Sequence, residues 1–143
     1  MKSRLFFLFF ALLATQTLFS QIMTPADDTA MRKVTELLTE KYNLSADQAK
    51  QVYQIQQRKN RNLTEITALQ QSNQAQYQAK VRNIQEGTLA NIRRVLSSKE
   101  QVDVFQQTQA EVRGLRSAKR KEMTAQGASK EAVEAAVLAI YAE

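Results

Sequence analysis

The chain has few side chains able to do chemistry. Its 143 residues include no His and no Cys. That removes the imidazole base, the thiolate nucleophile and the ligands that zinc, nickel and copper sites favour. Asp27-Asp28 is an adjacent carboxylate pair, but it falls where a helix start explains it, because acids there complement the helix dipole. No Gly-rich phosphate loop is present. The expectation is a protein that is not an enzyme and holds no cofactor. What remains is charge, amide and hydroxyl. Arg58, Lys59 and Arg61 lie in "QQRKNRN" (56–62), flanked by Ile55, Leu63 and Ile66. Such a mixture of basic and apolar groups suits binding of a polypeptide. A second basic cluster is Arg113, Arg116, Lys119, Arg120 and Lys121, with 113, 116 and 120 on one face of a continuous helix. It suits an acidic protein domain, an acidic client or acidic lipid headgroups at a membrane surface. As solvated helix faces, both clusters need no function at all, and the apolar residues flanking the first are then core. The third feature is a phrase used twice, "NLSADQ" (43–48) and "VLSSKEQ" (95–101).

The elements that position these groups read as helices. Gly and Pro are scarce, at three and one, and the commonest residues are good helix formers. No stretch alternates like a strand. Thr24-Pro25 predicts a helix start, with Val34, Leu37, Leu38 and Tyr42 as the apolar face and Asn43 as the stop. In the first phrase Ser45 and Gln48 form a capping box, with Leu44 as the hydrophobic staple. That helix is expected to run to about Gln71, with the break within 70–74. A third helix follows to Val95, carrying Tyr77, Val81, Ile84, Leu89, Ile92 and Val95, with Gly87 allowing a bend or a close contact. In the second phrase Ser97 with Glu100, or Ser98 with Gln101, can cap the fourth helix, and both registers stay open. Its stripe is Val102, Phe105, Gln109 and Val112, and Gly114 weakens it. Gly127 is a stop, and "SKEAVEAAVLAIYAE" predicts a last helix presenting Val133, Val137 and Ile140. Overlaying Leu44 on Leu96 brings Ser45 onto Ser97, Val52 onto Val104, Tyr53 onto Phe105 and Gln54 onto Gln106, which suggests a duplicated helix pair.

The chain opens with Lys2 and Arg4 before an apolar run from Leu5 to Ala14. This describes a cleavable signal peptide over 1–20, too short to span a bilayer. Removing it lowers the net charge from +6 to about +4, which favours acidic partners and is far from a nucleic-acid-binding tail. The predicted organisation is a signal peptide (1–20), a helical domain (21–126) and a C-terminal helical extension (127–143).

An exported, all-α chain of four to five amphipathic helices with two Leu-Ser-x-x-Gln-like starts resembles the Spy/CpxP family of periplasmic stress proteins, known by its LTxxQ motif. The residues carrying the likeness are Leu44, Ser45 and Gln48, then Leu96 and Ser97 with Glu100, or with Gln101 after one inserted residue. The resemblance covers roughly 30–115. It implies a curved helical-hairpin protomer pairing as an antiparallel homodimer. It further implies ATP-independent binding of unfolded or misfolded envelope proteins, or restraint of a sensor kinase through its periplasmic domain. Metal resistance, known among relatives, does not carry over, since the chain lacks the His and Cys such sites use. Within this resemblance, Ile55, Arg58, Lys59, Arg61, Leu63 and Ile66 are the candidate client-binding residues.

Overall fold

The computed structural model describes residues 25–143. The signal peptide expected over 1–20 and the Thr24 cap lie outside the described residues. The order is α1 (Pro25–Tyr42), α2 (Ala46–Glu65), α3 (Leu69–Ser72), α4 (Gln74–Val95), α5 (Lys99–Ala125) and α6 (Lys130–Ala139). All six elements among the described residues are helices, and none is long and apolar enough to cross a membrane.

Local chemistry sets most of the ends. Asn43 takes a left-handed conformation (φ 48°). Its N–H donates to the Glu40 carbonyl, and that of Leu44 to Thr39. This Schellman stop satisfies carbonyls that the end of α1 leaves open. Gly127 (φ 73°) ends α5 in the same way, with its N–H on Thr124 and that of Ala128 on Met123. Asn73, Ser98 and Ser129 cap α4, α5 and α6.

Two boundaries differ from expectation, while the break expected within 70–74 falls at Asn73. α2 stops at Glu65 rather than Gln71. The Thr64 and Thr67 hydroxyls take the Asn60 and Leu63 carbonyls. The backbone tightens to i→i+3 bonds from Ile66 to Leu63 and from Thr67 to Thr64, a pattern that ends an α-helix. Gly114 does not interrupt α5, which runs through it. α6 ends at Ala139, and 140–143 leave the helix.

The core is one cluster of Leu38, Tyr42, Leu44, Val52, Ile55, Ile92, Leu96 and Phe105. α2 packs on α1 and α4, and α6 lies along α5 and touches α4. The buried face of α1 is Met31, Thr35, Leu38 and Tyr42, whereas Leu37 points outward at 56% exposure. A Cβ at Gly87 would meet nothing within 4 Å, so no helix presses against it. The 127–143 segment folds back on α4, α5 and α2.

Candidate functional site

The repeated phrase becomes a single joint. Ser45 and Ser98 are the two N-caps, each closing a complete capping box with Gln48 and Gln101. This selects the Ser98–Gln101 register. Leu96 is buried beside Leu44 in the core, and Ser97 is the inserted residue. Glu100 stays exposed in the first turn of α5. The correspondence between the halves is therefore shifted by one from the Leu44-on-Leu96 overlay. Past the caps, Val52 matches Phe105, both buried, and Val104 is exposed at 38%.

The two glutamines face each other. Gln48 Nε2 donates to Gln101 Oε1 at 3.1 Å, and Gln101 Nε2 donates to Gln48 Oε1 at 3.0 Å. Gln48 Nε2 also donates to the Val95 carbonyl at 2.8 Å, and Gln101 Nε2 to the Asn43 carbonyl at 3.3 Å. Each amide oxygen accepts its own cap residue's N–H, at 2.9 Å for Ser45 and 3.2 Å for Ser98. The pair is buried, at 9% and 8% exposure, and its donors and acceptors are all in use, as burial of polar groups requires. A capping box needs only an acceptor, so Glu serves there as well as Gln. The clasp also needs donors, which a carboxylate lacks. That contact with Gln48 is what favours Gln101 over Glu100.

From this joint α2 and α5 project side chains around the 140–143 segment. Lys59 Nζ pairs with the Glu143 carboxylate, Gln56 Nε2 donates to its other oxygen, and the Glu143 side chain is 6% exposed. Lys41 Nζ donates to the Glu143 carbonyl at 2.7 Å. Gln109 Nε2 donates to the Ala142 carbonyl at 3.0 Å, and Arg116 Nε to that of Ile140 at 2.7 Å. The Tyr141 ring lies under Lys59 Nζ, 4.8 Å from its centroid, and its hydroxyl donates to Glu143 at 2.9 Å. These bonds explain why α6 stops short. Gln109 and Arg116 take carbonyls of the segment, while Tyr141 and Glu143 gain partners that continued helix would not reach.

Burial pushes the Tyr141 phenol well above its ordinary value of 10.0, with the neighbouring Glu143 carboxylate acting in the same direction. A pKa raised by docking means the docked segment prefers the protonated phenol. That contribution is complete below about pH 10 and is lost as pH rises through the docked-state value. In an absorbance titration, the wild-type minus Tyr141→Phe difference should therefore develop above pH 10. A difference curve centred on the ordinary phenol value contradicts a docked ring.

The expected client-binding set divides. Ile55 and Ile66 are buried, Ile55 in the main core, so they are structural. Leu63 is half-buried, Lys59 is engaged with Glu143, and Arg58 and Arg61 are exposed. Ile55, Arg58 and Lys59 nevertheless line a groove of about 320 Å³ together with Asn62, Ile84 and Gly87. The second basic cluster divides too. Arg113 and Lys121 are exposed. Lys119 pairs with Glu122 and Arg120 with Glu134, while Arg116 turns inward to Ile140 and Gln85. Asp28 is a structural acceptor. The Tyr53 hydroxyl and Arg32 donate to it, and hold its carboxyl below the usual range. Gln56, Gln109, Tyr141 and Glu143 had no signal beyond helical spacing.

No family model matches the chain, nor does any curated protein or solved structure.

Proposed function

We propose that the protein is an ATP-independent, chaperone-like binder of unfolded or misfolded polypeptides, working as a homodimer in the periplasm in the manner the Spy/CpxP resemblance implies. The observation that carries this reading is the way 140–143 are held. An extended segment lies among side chains from α1 and α5 that bond its main-chain oxygens, while α2 holds its side chains. Main-chain carbonyls are common to every client, so such contacts tolerate varied sequence. Arg58 on the α2–α4 groove and the exposed Arg61 on the same helix attract acidic chains before contact, and attraction of this kind is screened by salt. Leu37 and Leu115, at 56% and 59% exposure, are apolar side chains that a second copy would cover.

The test is aggregation of a chemically denatured client without nucleotide, at low and high ionic strength, for wild type and Arg58→Ser/Lys59→Ser/Arg61→Ser. Equimolar wild type is expected to suppress light scattering. High salt and the triple variant should each weaken the effect. An absence of suppression at several-fold excess overturns the reading.

A second reading, restraint of an envelope sensor kinase, draws on the cleft of about 470 Å³ between α4, α5 and α6, where Arg82, Arg113, Arg116 and Arg120 outnumber Glu86 and Glu134, the latter paired with Arg82 and Arg120. It is favoured if one acidic domain binds stoichiometrically and denatured clients do not.

A further inference from the structure

Residues 141–143 make no backbone–backbone hydrogen bond with any other described residue. Docking rests entirely on side chains. The main-chain carbonyls of 140 and 142 are taken by Arg116 and Gln109, and the main-chain oxygen of 143 by Lys41. Two side chains are recognised as well. The Tyr141 ring packs under the Lys59 ammonium, and the Glu143 carboxylate takes both Lys59 and Gln56. This is how a groove holds a peptide rather than how a chain packs its own secondary structure. A cation above a ring next to a buried ion pair also gives chemical selectivity, for an aromatic residue two positions before a carboxylate.

We infer that the groove between α1, α2 and α5 is a binding site for extended peptides of the pattern aromatic-x-acid, and that the 140–143 segment is its occupant in cis, displaced when such a peptide binds in trans. The inference supplies a substrate class for the activity proposed above and rests on that reading only for the identity of the clients. An occupant in cis lowers the apparent affinity for a competing peptide by the fraction of molecules whose groove is free. Weakening the occupant must therefore strengthen binding in trans, which is opposite to what loss of a merely structural contact would do.

The experiment titrates a fluorescent, amidated LAIYAE peptide (the sequence of 138–143) into the full chain and follows anisotropy. Tyr141→Ser/Glu143→Gln is expected to bind it roughly tenfold more tightly than wild type. Adding Lys59→Ser should remove the gain. A probe with Ser and Gln in place of its own Tyr and Glu should bind neither protein. Glu143→Gln alone keeps the ring in place and should give a smaller gain in the same direction, so the inference does not depend on the double variant remaining folded. Equal affinities for wild type and Glu143→Gln at unchanged helicity, or a gain that survives Lys59→Ser, overturn it. Binding of the probe without suppression of aggregation rejects the chaperone reading and leaves this site standing. Suppression without probe binding does the reverse.

Discussion

Tyr42→Ala is expected to cost about 4 kcal/mol of folding stability, the range for emptying a large aromatic site in a core. Tyr42 is 2% exposed and closes the α1 side of the core. Its ring meets Phe105 of α5 at 6.4 Å between centroids, tilted by 48°. It thus joins the first and fifth helices, which otherwise touch little. Tyr42→Phe should behave differently. Burial raises the Tyr42 phenol pKa, and Thr108 lies beside the hydroxyl, yet the oxygen has no hydrogen-bond partner among the described residues. A buried hydroxyl left unpaired costs about 1–3 kcal/mol. Removing it while keeping the ring should leave stability unchanged or raise it by about 1 kcal/mol. Urea denaturation of the two variants checks both. A Phe variant as damaged as the Ala variant would show that the hydroxyl, not the ring, holds this site.

Gln48→Leu is expected to cost about 3 kcal/mol, more than loss of an ordinary cap, which costs about 1 kcal/mol. The change removes half of the Ser45 capping box. It also strands Gln101, a buried amide that loses both its acceptor and its donor on Gln48, and leaves the Val95 carbonyl without its 2.8 Å donor. Gln48→Glu is the sharper comparison. The carboxylate still accepts the Ser45 N–H, so the cap survives. It cannot donate to Gln101 or to Val95, and its charge would be buried, so most of the loss should remain at neutral pH. If Gln48→Glu is as stable as wild type in thermal denaturation, the amide pair contributes nothing beyond two separate caps.

The helices were legible because their ends are written in short-range chemistry. Ser45 with Gln48, Asn43 and Gly127 each fix a boundary within a few residues, and the structure keeps all three. The failures are tertiary. Ile55 and Ile66 flank the basic stretch in sequence, but both are buried, Ile55 on the core face of α2 and Ile66 just past its end. Leu37 and Met31 lie on neighbouring faces of α1, and packing against α2 buries the Met. The two registers for the second phrase satisfy capping equally well, and only the contact with Gln48, 53 residues earlier, separates them. The 140–143 segment has ordinary helix-forming residues; what pulls it straight are Lys59, Gln56 and Gln109, on helices far away in sequence. The candidate site was visible as a basic, Gln-rich stretch of α2, without the segment that sits against it.

The two Leu-Ser phrases form one joint, from which α2 and α5 project Gln56, Lys59, Gln109 and Arg116 in the register that holds an extended segment. A double-mutant cycle on Gln48 and Gln101 measures that joint most directly. With Gln48→Leu, Gln101→Leu and the double variant compared by urea denaturation, the double should be less destabilised than the sum of the singles by about 1–2 kcal/mol, because neither amide is then left stranded. Strict additivity would mean that the two helix starts are independent caps, and would contradict the account.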